Sequence, residues 1–248
     1  MASARAATPP ASYDYARSTE AEFRREVRRL VEGGCKRVCD IGGGAQPVVS
    51  LPRIEELGLD YVVLDESHDE LDKAPAGYER FAASILDADA ITALVGERGQ
   101  FDLAVSRWTA EHVPDGRRFH EQVYRLLRPG GLAIHVFPTL YALPFVLNRI
   151  LPQSLSALVL SSAQPEREAE KFRPFYSWCR GPSPRQLRRL ESVGFAVERY
   201  TGFFGHGYFE RIGPLHTANQ RLTEQLFAHP RPSMTSFALV LLRRPGPS

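Results

Sequence analysis

Apolar positions along the chain follow two alternating periods. Phe23, Val27, Leu30 and Val31 recur at helical spacing with Arg and Glu on the remaining faces, which predicts an amphipathic helix from residue 18 that Gly33-Gly34 stops. Short apolar runs then predict strands at 36–41, 61–65, 80–85, 102–106 and 132–137, with helical patterns at 51–57, 88–97 and 116–127 between them. A further helix at 184–193 starts on a proline and ends at Gly194. A strand at 195–203, a helix at 215–227 and a strand at 236–242 complete the pattern. Strands alternating with helices predict an α/β fold, a doubly wound sheet of seven strands, mostly parallel, with helices on both faces. Residues 1–17 read as a flexible N-terminal tail and 18–248 as a single domain. Residues 138–182, apolar and proline-punctuated and then charged and aromatic, break the alternation and are expected to form a lid or substrate insertion.

The chemistry-bearing positions fall at strand ends. The first is the turn Asp40-Ile41-Gly42-Gly43-Gly44-Ala45-Gln46-Pro47 after the strand at 36–41. Clustered glycines let a backbone approach a ligand closely, and a helix start beyond them offers free N–H groups. A dinucleotide fingerprint requires a third glycine at the sixth position counted from Gly42, and that position is Pro47. The second is Asp65, closing its strand, where a carboxylate can accept both hydroxyls of a ribose. A plain helix cap is the competing role. Glu66 beside it is a weaker candidate, because a solvated side chain accounts for it equally well.

The third is the pair of segments Phe101-Asp102-Leu103-Ala104-Val105-Ser106, continuing to Glu111-His112-Val113, and Leu126-Leu127-Arg128-Pro129-Gly130-Gly131. Taken with the Asp40/Gly42/Gly44 turn and Asp65, these resemble the class I S-adenosylmethionine-dependent methyltransferases of the small-molecule type over about residues 35–137. The resemblance implies a Rossmann-like sheet of seven strands whose last strand, at 236–242, is antiparallel. S-adenosyl-L-methionine is the implied cofactor, lying across the strand ends. Asp40 and Gly42 would then approach its methionine part, Gly43 would belong to the same cofactor-binding turn, Gly44 would allow that turn, and Asp65 would hold the ribose. Ser84, Ile85 and Asp87 would flank the adenine, and Ser106 and Arg107 would lie near the sulfonium and the acceptor. Two positions depart from the family pattern. Gln46 stands where a third glycine is common, and Ser84 where many members carry an acid that Asp87 could replace.

Composition limits the partners. The 248 residues are 43% hydrophobic and 24% charged, with a formal charge of +2, so bulk electrostatics give no case for nucleic acid. The arginines of 24–29 and 185–189 belong to solvated helix faces. Cys35, Cys39 and Cys179 lack the spacing of a redox or zinc pair and read as reduced. With no leader-like N-terminus and no run of about 18 apolar residues, a cytoplasmic location is expected. The expected acceptor is a small or medium organic molecule with an apolar portion, because aromatic residues surround the expected mouth. His112, Tyr176 and His206 are the catalytic candidates, and no metal set is expected. Residues 138–160 could instead make a transient membrane-surface contact. Two other functions stay open: a non-catalytic nucleoside-cofactor-binding protein of the same fold, and a nicotinamide-dependent oxidoreductase.

Overall fold

The computed structural model describes residues 11–139, 174–207 and 213–246. Eight strands form one sheet: β1 (Ser12–Tyr15), β2 (Arg37–Ile41), β3 (Asp60–Asp65), β4 (Glu79–Ala82), β5 (Phe101–Arg107), β6 (Leu127–Pro138), β7 (Ala196–Phe204) and β8 (Phe237–Arg243). Their order is β1-β7-β8-β6-β5-β2-β3-β4. All pairs are parallel except those of β8, which runs antiparallel to both β6 and β7. The described helices are α1 (Thr19–Glu32), α2 (Leu51–Leu57), α3 (His68–Lys73), α4 (Ala88–Arg98), α5 (Gly116–Leu126), α6 (Pro184–Ser192) and α7 (Gly213–Ala228).

Strand alternation divides the core in two. Cys39, Ile41, Val62 and Leu64 point to one face, where Ile91 and Leu94 of α4 and Phe119, Val123 and Leu126 of α5 cover them. Val38, Val63, Leu103 and Val105 point to the other, beneath Phe23, Val27, Leu30 and Val31 of α1. The apolar stripe of α1 is thus matched to a strand face. Each fully buried side chain of this size contributes about 1.5–3 kcal/mol.

The eighth strand corrects the expectation of seven, and it lies within the stretch read as a flexible tail. Ser12–Tyr15 pair parallel with Thr201–Phe204, and Tyr13 stacks on Phe204 with ring centroids 5.2 Å apart. Four residues carry too little alternation to signal a strand without the partner edge that orders them. The fourth strand also ends at Ala82, so Ser84 and Ile85 lie in the loop beyond it. Strand β6 begins at Leu127, five residues earlier than expected, because Gly130 and Gly131 join the pairing with β8's end through Arg244. Most of the expected insertion, residues 140–173, lies outside the described residues, and with it most of the segment assigned to membrane contact.

Candidate functional site

The sheet order places a topological switch beside β2. The chain moves outward from β2 to β3 and β4, then crosses back to β5 and β6 on the other side. In open α/β sheets the crevice at the strand ends beside such a switch is where ligands bind. A cavity of about 450 Å³ opens there, lined by the glycine turn, Asp65, Glu66, Ser84, Ile85, Arg107 and His112.

The turn after β2 tolerates only glycine where it meets its neighbours. Gly42 has φ +72°, and a Cβ there would lie 2.3 Å from Thr109 Oγ1. Gly44 has φ +35°, and its Cβ would lie 2.9 Å from Asp65 Oδ2. Both positions combine a left-handed backbone with a close approach. The Gly42 N–H donates to the Leu64 carbonyl at 2.7 Å, which ties the turn to β3. Trp108 also lines the cavity with φ +55°, a conformation costly for a bulky residue and often found at functional sites.

Two carboxylates dominate the electrostatics. Asp40 is fully buried at the end of β2, and burial pushes its pKa up to about 6. Its Oδ2 accepts from the Val48 N–H at 2.7 Å and from the Tyr61 hydroxyl. Its Oδ1 has no hydrogen-bond partner among the described residues, although Asp40 lines the cavity. Asp65 is held above the ordinary carboxylate range, first by burial, with the Ser67 N–H (2.9 Å to Oδ1) opposing. Glu20 and Glu70 also reach the cavity, so carboxylates outnumber the cations that line it. Arg107 spans the opening, donating to Glu20 Oε1 and to the Gln46 carbonyl, each at 3.0 Å. This arrangement suits a ligand with a cationic end and a diol.

The structure brings together most of the sequence-derived candidates and moves four of them away. Ser106 is fully buried, with Oγ 2.7 Å from His135 Nδ1. Arg107 lines the cavity, whereas Ser106, turned to the opposite side of the strand and bonded to His135, does not. Asp87 does not line the cavity. Its carboxylate caps α4, accepting from the Asp89 and Ala90 N–H groups at 3.0 and 3.1 Å. Tyr176 has φ +52°, and its N–H donates to the Glu111 carbonyl at 2.9 Å, so its ring packs on the core and not in the cavity. His206 follows β7, which β8 and β6 separate from β5, and burial lowers its pKa to about 4. Of the three catalytic candidates, only His112 lines the cavity, from a 3₁₀ turn at Ala110–His112, with Nε2 3.9 Å from Glu111 Oε1.

Sequence reasoning missed Glu20, Glu70, Thr109 and Trp108. Glu20 is one acid on the polar face of α1, and nothing local distinguishes it from a solvated one. Thr109 stood within a segment already singled out, where its hydroxyl now donates to the Ile41 carbonyl at 3.2 Å.

Residues 39–135 match the family model of the methyltransferase domain. An uncharacterized methyltransferase of Mycobacterium sp. (strain KMS) is 33% identical over 101 residues, covering 41% of this chain and 38% of that protein. The chloroplastic tocopherol O-methyltransferase of Arabidopsis thaliana is 30% identical over 125 residues, covering 50% of this chain and 34% of that protein. The chain therefore spans well under half the length of these relatives. Among solved structures, a SAM-dependent methyltransferase from Archaeoglobus fulgidus superposes with a TM-score of 0.55 at 15% identity, covering 90% of this chain and 92% of that one.

Proposed function

We propose, from the premise that residues 39–135 belong to the methyltransferase domain family within a class I S-adenosylmethionine-dependent fold, that this chain methylates a small or medium organic acceptor with an apolar portion. The observation that carries the reading is the buried Oδ1 of Asp40, without a partner among the described residues, in a carboxylate-lined cavity at the switch point. A glycine cradle and a carboxylate at the end of β3 complete a site that fits adenosylmethionine.

Bound there, S-adenosylmethionine supplies a methyl group activated on a sulfonium. Asp40 would accept from the ammonium of the methionine part, and Asp65 from the ribose hydroxyls. Ile85, with Ser84 before it, would flank the adenine. The enzyme's task is then alignment, because the methyl donor is already reactive, and holding two reactants in one geometry supplies much of the acceleration. The chain does this with short, buried supports. The glycine turn is bonded to β3, Thr109 is bonded to the Ile41 carbonyl, and Arg107 is fixed by Glu20 and Gln46. His112 is the side chain placed to take a proton from an acceptor that must lose one.

The apolar character of the acceptor rests on Trp108, Val113 and Pro114 lining the same cavity as His112. The test is turnover: adenosylmethionine incubated with a panel of phenols, amines and isoprenoid-like alcohols, together with polar amino acids and an oligonucleotide, with adenosylhomocysteine and methylated product read by mass spectrometry. Stoichiometric product with apolar members supports the reading. Turnover restricted to nucleic acid or to fully polar acceptors overturns it. His112→Asn is expected to lower kcat about 100-fold, the lower end of a general base's contribution, and to leave adenosylhomocysteine affinity unchanged. An unchanged kcat removes His112 from proton transfer.

A further inference from the structure

Tyr61 belongs to β3 and does not line the cavity, yet it controls the carboxylate that does. It is nearly inaccessible to solvent, four residues before Asp65. Its oxygen accepts from the Val49 N–H at 3.2 Å, and Tyr78 donates to the Val49 carbonyl at 2.9 Å from the opposite side. A backbone N–H only donates, so the phenol proton is committed to its other neighbour, Asp40 Oδ2. With the Val48 N–H on the same oxygen, Asp40 cannot rotate about its Cβ–Cγ bond without breaking two buried hydrogen bonds.

We infer that Tyr61 is a positioning residue for the cationic end of the cofactor: its hydroxyl fixes Asp40 through Oδ2 and keeps Oδ1 available as the acceptor for the methionine ammonium. This rests on the adenosylmethionine reading of the cavity. It assigns to β3 a second role in the site, besides carrying Asp65.

The consequence is a pH dependence with a defined sign. An ammonium requires the ionised form of Asp40. Burial and the neighbouring Asp65 favour the neutral form, while Tyr61, the Val48 N–H and Arg107 favour the charged one. Burial first, and then the charge of Asp40, raise Cys39, beside it in the strand, and Tyr78, so both bear their protons at neutral pH. Affinity for the cofactor therefore falls as pH drops through about 6, the position of the Asp40 pKa. Loss of the Tyr61 hydroxyl moves that midpoint upward.

The experiment is calorimetric titration of adenosylhomocysteine between pH 5.5 and 8.5 into wild type, Tyr61→Phe and Tyr78→Phe. Carbon NMR of the Asp40 carboxyl in the ligand-free proteins is recorded in parallel. For Tyr61→Phe the expected result is a midpoint raised by roughly one pH unit, with binding ~3-fold weaker near pH 6.5, ~8-fold weaker near pH 5.5 and little changed at pH 8.5. Tyr78→Phe should keep the wild-type midpoint. Should the Phe variant not fold, 3-fluorotyrosine at position 61, a stronger donor of the same shape, is expected to move the midpoint downward. An unmoved midpoint, or an equal shift in Tyr78→Phe, overturns the role of Tyr61 while leaving the site intact. No binding to wild type at any pH overturns the adenosylmethionine reading and this inference with it.

Discussion

Asp65 ends β3 with Oδ1 already accepting from the Ser67 N–H, which fixes the carboxylate before any ligand arrives. Asp65→Ala should weaken adenosylmethionine binding by about 1.5–3 kcal/mol, the range for hydrogen bonds to a charged group. Unchanged affinity by calorimetry in a folded variant would take Asp65 out of the site. Glycine clusters and strand-end acids are visible in a sequence because their chemistry depends on residue type and short spacing. Asp40, the three glycines and Asp65 were legible for that reason, Arg107 came only with the family resemblance, and all of them converge on one cavity. Ser106 and Asp87 were misplaced because their roles depend on which way a side chain faces. One residue of strand alternation sends Ser106 to His135, and one helix start claims Asp87 as its cap. Tyr61 read only as an apolar strand position, since its hydroxyl has meaning only beside Asp40, 21 residues away in sequence.

At the scale of elements, β1 and α5 make separate demands on stability. Strand β1 closes the sheet edge at β7, with Tyr13 on Phe204 and Tyr15 stacked on Phe227 at 4.6 Å. Deletion of residues 1–15 should lower the melting temperature by several degrees, since each stacked pair is worth about 0.5–1.5 kcal/mol beyond its buried area. An unchanged melting temperature would show that the edge strand contributes nothing. Helix α5 buries His120 against His135, ring centroids 5.4 Å apart, and desolvation lowers the His120 pKa to about 3 from 6.5. Unfolded, this imidazole takes a proton near 6.5; folded, it stays neutral until about 3. Its contribution to stability is therefore lost as pH falls from about 6.5 towards 3, and the lowered His135 adds in the same direction. Asp40, raised to about 6 from 3.8, acts oppositely over its own window. His206, lowered to about 4, joins the two imidazoles, and the raised Asp65 joins Asp40. Three imidazoles outweigh two carboxyls, so melting temperature should fall between pH 6.5 and 5, and His120→Phe should flatten that slope. A wild-type profile that rises over this interval contradicts the burial of the pair in solution. Element type along 18–137 could be read from periodicity except for α3, six residues that bury only Leu71 and start on the Ser67 cap; β1 could not be read either, because an edge strand of four residues is ordered by its neighbour.

At the scale of the molecule, the sheet order creates the crevice, and the fold supplies carboxylates to it from α1, β2, β3 and α3. The formal charge of +2 is spread over the chain and gives no hint of this local excess of acid. Among the described residues no helix is long and apolar enough to cross a membrane. A nicotinamide dinucleotide would bring a diphosphate to a cavity rich in carboxylates, whereas adenosylmethionine brings two cationic groups. Calorimetric titration of wild type and Asp65→Ala with adenosylmethionine, and separately with NADH, tests the central claim most directly. The account predicts one adenosylmethionine per chain, displaced by adenosylhomocysteine, weakened in Asp65→Ala, and no heat from NADH. Binding of NADH with no affinity for adenosylmethionine would contradict it.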